Sequence, residues 1–149
     1  MKKRKTWLLL AILTTTVSAY LLITGSSILN KLFLESLQLP YGTIITWLGL
    51  VGLSLSVYLG IEKLRNPKNW LTKILSIQLR ITLILALFWI VISAILAGNL
   101  SFSFSQTDSF QGGQLAMKIF WVINYALVII PILVFVSFHI LKSLKIKNK

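Results

Sequence analysis

The sequence predicts an all-α integral membrane protein with four transmembrane helices, N-in and C-in, forming a single polytopic domain over residues 1–149. Three observations predict it. Composition is the first: 56% of residues are hydrophobic, 12% are charged and mean hydropathy is +0.86, so the chain lacks the polar surface needed to enclose a soluble core. The second is a set of uncharged runs long enough to cross a hydrocarbon layer of ~30 Å at about 1.5 Å per helical residue. The third is charge placement, because the 15 Lys and Arg, against three acids, gather at the ends of those runs.

The spans are expected at about 6–27, 43–61, 78–98 and 119–141. Lipid offers the backbone no hydrogen-bond partner, so each should be helical. The first follows Lys2, Lys3, Arg4 and Lys5 and meets no further charge until Lys31. A basic collar before an apolar run also fits a signal peptide, with Val17-Ser18-Ala19 as its cleavage site. The continuation through Tyr20-Leu21-Leu22-Ile23 favours a retained helix. Next, Ile28, Leu29, Leu32, Phe33 and Leu37 recur at helical spacing, and Lys31 precedes Glu35 by four. This fits a short amphipathic helix over 28–39 on the outer face, or equally an extension of the first span. Pro40-Tyr41-Gly42 breaks the pattern before the second span.

The second span, 43–61, carries no charge, and neither does the run 81–98 that completes the third. Between them lie Lys63, Arg65, Lys68, Lys73 and Arg80. Asn66-Pro67 is expected to start a helix there, with Asn66 as N-cap and Pro67 at the first position. Trp70, Leu71, Ile74, Leu75 and Leu79 then form either an interfacial segment or the near end of the third span, with Arg80 snorkelling outward. The connection to the fourth span is polar. Its alternation Ser101, Phe102, Ser103, Phe104, Ser105 is expected to be irregular, with phenylalanines dipping into the interface, and Gly112-Gly113 to be a flexible break. Pro131, lacking an N–H, should kink the fourth helix near the carbonyl of Leu127.

Counting basic residues sets the expected orientation. The N-terminus, central turn and C-terminus hold thirteen; the two opposite loops hold Lys31 and Lys118. By the positive-inside rule both termini belong in the cytoplasm, at the plasma membrane, with the basic face toward the anionic headgroups of the lipid bilayer. Trp7, Trp47, Trp70 and Trp121 lie near span ends, where an amphipathic ring settles at the interface. No basic stripe with stacking aromatics lies outside the apolar runs, so no nucleic acid is expected as a partner. The chain has no cysteine, which excludes disulfides, thiol redox chemistry and iron–sulfur ligation.

Residues able to carry chemistry are few. His139 is the only histidine, too little for a bis-histidine haem or a catalytic metal, and it reads as an interfacial polar residue. Glu35, Glu62 and Asp108 all fall outside the spans, away from where proton-coupled transport places its ionisable group. No catalytic, cofactor or metal residues are therefore expected, and no enzymatic activity. Asn124 is the one strongly polar side chain well inside a span, reading as a polar contact within the membrane, with an interhelical hydrogen bond favoured over a substrate contact. Gly49, Gly52, Ser56 and Gly60 give the second span a helix-packing face that admits a close neighbour. A similar ladder, Ala11, Thr15 and Ala19, marks the first span, and Ala86, Ser93, Ala94 and Ala97 a looser one in the third. The expected function is that of a small non-enzymatic accessory or interaction subunit of a larger membrane assembly, meeting a membrane-protein partner or forming a homo-oligomer. The alternative is a self-associating transporter, lipid flippase or pore lined by Thr14 to Ser18, Ser54, Ser56 and Asn124.

Overall fold

A computed structural model of the chain describes residues 2–101, 104 and 110–147. It is mostly helical: α1 (Lys2–Thr24), α2 (Tyr41–Gly60), the single turn α3 (Glu62–Arg65), α4 (Trp70–Leu87), α5 (Trp89–Ala97) and α6 (Gly113–Lys147). Four of these, α1, α2, α4 and α6, are long and apolar enough to cross a membrane.

α1 stops because Gly25 takes a left-handed conformation, φ 61°. Ser26 N–H reaches back to Leu21 O at 3.2 Å and Gly25 N–H to Leu22 O at 3.4 Å, the paired bonds of a Schellman motif. This termination overturns both expectations for 28–39, which is neither an amphipathic helix nor an extension of α1. A 3-10 turn (Ser27–Asn30) leads instead into a small antiparallel hairpin of β1 (Leu32–Leu34) and β2 (Leu39–Pro40). Leu32-Phe33-Leu34 is a consecutive apolar run compatible with a strand, and Gln38, at φ 48°, turns the chain back. Tyr41 N–H bonds Lys31 O at 2.9 Å, and the Phe33 ring meets Tyr41 edge-on at 5.3 Å. With the helix gone, Lys31 and Glu35 lose their i,i+4 relation.

The elbow after α2 also differs from expectation. Asn66 closes α3, its N–H on Glu62 O at 3.1 Å, and the N-cap of α4 is Asn69. Thr72 Oγ1 accepts the Asn69 N–H at 3.3 Å at the start of α4, whereas the Asn66 N–H is spent on closing α3. From Trp70 the helix runs without interruption to Leu87, so this stretch is continuous with the third apolar helix. Arg80 bends back to donate to Arg65 O at 3.1 Å.

The third span breaks once, at Phe88 (φ −88°, ψ 3°), which separates α4 from α5. The buried face survives the break: Ser76, Leu79, Thr82, Ala86, Trp89, Ser93 and Ala97 follow one another by three or four. α2 and α6 bury matching stripes, Thr43-Leu50-Ser54-Val57-Ile61 and Phe120-Leu127-Pro131-Val134-Phe138, each spaced seven, four, three, four. Such seams let parallel helices clasp a small-residue helix between them. Two apolar clusters result. One joins Leu50, Ala86, Trp89, Phe120 and Leu127; the other joins Val57, Ile61, Leu64, Leu79, Val134 and Phe138. α6 runs unbroken through Pro131, whose ring is buried in this seam. α1 lies antiparallel along the outside of α2, so Leu8 sits near Gly60 and Ser18 near Gly49. The beginning of α1, the α3 elbow and the C-terminal part of α6 thereby share one end of the bundle, which carries most of the basic residues.

Beyond α5, Gly98 (φ 77°) caps the helix through its N–H on Ala94 O, and Gln111 N–H returns to Ala97 O at 2.8 Å. Thr43 Oγ1 donates to Leu100 O at 2.7 Å, tying α2 to this loop, and the Phe104 ring lies against Gly42. Ser101 is buried and accepts the Phe104 N–H at 2.9 Å, in an irregular turn, while Phe102, Ser103, Ser105 and Asp108 fall outside the described residues. α6 starts at Gly113 (φ 79°), earlier than the expected 119, so the glycine pair opens the helix.

Candidate functional site

The glycine ladder of α2 faces α1. A Cβ built on Gly49 would lie 2.8 Å from Ser18 Cβ, and one on Gly52 2.7 Å from Thr15 Oγ1, 2.8 Å from Thr14 Oγ1 and 3.0 Å from Ala11 O. On Gly60 the nearest atom would be Leu8 Cδ1, at 3.8 Å. The close approach is made possible from α1 as well: Thr14 and Thr15 turn their hydroxyls onto the carbonyl of Ala11, at 3.0 and 2.8 Å. Ser56, half-buried, donates to Leu53 O at 2.8 Å.

This arrangement leaves a lateral groove. α1 packs along α2, while α6 packs on α4, α5 and another side of α2. Between them opens a cavity of about 310 Å³. Gly49, Leu50, Leu53 and Thr46 form its floor; Thr15, Ser18, Ala19 and Leu22 form one wall; Trp121, Asn124, Tyr125 and Val128 form the other. No carboxylate, lysine, arginine or histidine lines it.

Its polar groups are largely engaged. Thr46 Oγ1 donates to Gly42 O at 2.8 Å, and Thr15 Oγ1 is bound as above. Asn124 Oδ1 accepts the Trp89 indole N–H at 2.9 Å, and its Nδ2 donates to Phe120 O at 2.8 Å. Asn124 therefore links α5 to α6, as an interhelical bond, at the edge of the groove. With both threonine hydroxyls spent on local carbonyls, the groove presents a mostly apolar surface suited to a helix or an acyl chain, Ser18 and Tyr125 supplying its remaining hydroxyls.

The polar residues proposed to line a pathway do not converge on one lumen. Thr15, Ser18 and Asn124 reach the groove, but Ser54 is fully buried in the core, with no hydrogen-bond partner for its Oγ, and Thr16 is exposed and bonded to Ile12 O. His139, exposed near the basic end, donates from Nδ1 to Phe135 O at 2.8 Å, and its ring lies tilted at 40° to the Phe135 ring with centroids 4.3 Å apart. Among the described residues no group of three His, Asp or Glu side chains is placed to hold a metal.

Two tryptophans carry roles that periodicity did not reveal. Trp89 is 2% exposed and serves Asn124. Trp47, expected at the interface, donates its indole N–H to Leu87 O at 3.2 Å, beside the α4–α5 break, where that carbonyl would otherwise lack a partner. The available signal was an indole donor and a lone Asn in neighbouring spans. Comparisons with protein-family models, with curated proteins and with solved structures give no match, so the functional reading rests on this geometry.

Proposed function

We propose that this chain is a non-enzymatic accessory or interaction subunit of a membrane assembly, receiving a partner's helix in the groove between α1 and α6. The groove is the observation that carries this reading: it is lateral, lined mostly by apolar side chains and free of ionisable groups, a surface on which a partner's helix packs by van der Waals contact. The interior offers less to a transported ion, because two apolar clusters fill it and ionisable groups lie at its ends. The thirteen-to-two charge asymmetry supports a plasma-membrane location with both termini and the α3 elbow cytoplasmic. Reporter fusions after residues 36 and 67 are expected to report opposite sides.

The groove itself is tested by placing a photo-crosslinking residue at Leu53 or Val128 in native membranes, followed by extraction in mild detergent and mass measurement. The expected product is one stoichiometric adduct with a different membrane protein. A homogeneous adduct with a second copy would overturn the accessory reading in favour of a self-associating transporter, flippase or pore, to be followed by flux measurements in liposomes. Adducts with lipid alone would overturn both.

A further inference from the structure

We propose that the basic end of the bundle holds a specific site for an anionic phospholipid, its phosphate at the α3 elbow and an acyl chain between α4 and α6. Three cavities join through shared walls. The first, about 450 Å³, lies at the elbow and is lined by Lys63, Lys68, Asn66 and Asn69, with Glu62 and Thr72. It shares Lys63, Asn69 and Thr72 with a second, about 60 Å³, that adds Lys142 from α6 and the apolar side chains of Leu71, Phe138 and Leu141. Leu71 and Leu141 in turn border a third, about 330 Å³, that runs between α4 and α6 and is walled by Ile74, Leu75 and Ile140.

Polarity is graded along this path as it is along a phospholipid. Ammonium groups from three segments, Lys63, Lys68 and Lys142, flank the polar portion. Glu62 is the one carboxylate there, and among the described residues no ion pair joins it to any of them. The two asparagine amides add hydrogen-bond donors suited to phosphate oxygens. The head cavity falls within the range of roughly 300–1,000 Å³ that small-molecule sites occupy. Depth agrees: α2 ends at Gly60 and α4 begins at Trp70, so the elbow lies just past two helices of membrane-spanning length, where headgroups lie. A free phosphate would leave the apolar third cavity unused; a diacyl lipid fills both. The site shares no lining residue with the groove on α2, so either can fail without the other.

The experiment is native mass spectrometry of delipidated full-length protein in an uncharged detergent, titrated with phosphatidylglycerol or phosphatidylcholine. One phosphatidylglycerol per chain is expected, in preference to phosphatidylcholine. Lys63→Gln/Lys68→Gln should weaken it about thirtyfold, from ~1 kcal/mol per lysine near anionic lipid. The charge-matched Lys3→Gln/Arg4→Gln should change it less than about twofold, since neither lines the site. Ser137→Phe, which fills the acyl cavity without altering charge, should also weaken it, while Lys63→Arg/Lys68→Arg should retain it. Equal losses in the two charge-matched pairs would overturn the site in favour of diffuse attraction. Equal binding of phosphatidylcholine would overturn the anionic specificity, and displacement by millimolar inorganic phosphate would assign the elbow to free phosphate.

Discussion

Replacing Gly52 by alanine tests the α1–α2 interface with a single methyl group. The new Cβ would lie 2.7–3.0 Å from three oxygens, those of Thr15, Thr14 and Ala11. Two belong to hydroxyls already committed to α1 carbonyls, and the third is a backbone atom that no rotamer change can move. α1 must therefore shift outward by several tenths of an ångström, loosening its contact with Gly49 as well. Overpacking of this kind costs about 1–3 kcal/mol. The gain in helix propensity, at most ~1 kcal/mol, offsets part of it. The net expectation is destabilisation by about 1–2 kcal/mol.

Gly60→Ala is the internal control. It makes the same chemical change on the same helix, but its Cβ would meet only Leu8 Cδ1 at 3.8 Å, an ordinary contact with the flexible end of a side chain. Gly60 is the last residue of α2, so the propensity gain there is no more than a few tenths of a kcal/mol. The expected gap between the two variants is about 1–2 kcal/mol, measured by reversible unfolding in mixed micelles. Equal stabilities would refute the reasoning, because they would mean that the ladder does not set the approach of α1.

The bond between Trp89 and Asn124 predicts a coupling energy of about 0.5–2 kcal/mol in a double-mutant cycle of Trp89→Phe and Asn124→Leu; strict additivity would count against the bond. Thr43→Val should destabilise by about 1 kcal/mol through its lost bond to Leu100 O, whereas Ser54→Ala, which removes a buried hydroxyl without a partner, should be neutral or slightly stabilising. Reversal of that order in the same unfolding assay would contradict the hydrogen-bond assignments. Trp47→Phe, which strands Leu87 O, should increase amide exchange near Phe88 and leave α6 unchanged; uniform protection would refute the capping role.

Much of the fold was legible because length and apolarity decide it. Runs such as 43–61 and 119–141 have one stable backbone solution in lipid; α2 matches the first to within two residues, and α6 contains the second while extending past it at both ends, to Gly113 and Lys147. Short connections were less legible, since local and tertiary terms compete there. The periodicity of 28–39 is compatible with a helix, yet Gly25 ends α1 and Leu39 and Pro40 are held buried at the start of α2, which together favour a hairpin. At the elbow, Asn66 and Asn69 are both plausible caps by type, and the choice falls to Thr72, three residues beyond the second. The break at Phe88 has no proline or glycine to announce it, and the indole that bonds the carbonyl beside it comes from α2.

The glycine face illustrates why a site is harder to read than a span. The small residues of α2 and α1 were visible as separate ladders, but only the helix arrangement shows Gly49 and Gly52 turned toward α1. What stays open is the strip that α1 and α6 leave uncovered, a consequence of three helices and of no one segment. In that strip the hydroxyls of Thr15 and Thr46 serve their own helices, and Asn124 is held by Trp89 and Phe120. A partner entering it would be selected chiefly by its fit to the apolar side chains of Leu50, Leu53 and Val128, with little contribution from new hydrogen bonds. Affinity should then respond to bulk at positions 53 and 128, which line the strip, more than to removal of the hydroxyl at position 46, the inverse of what a polar translocation path would require.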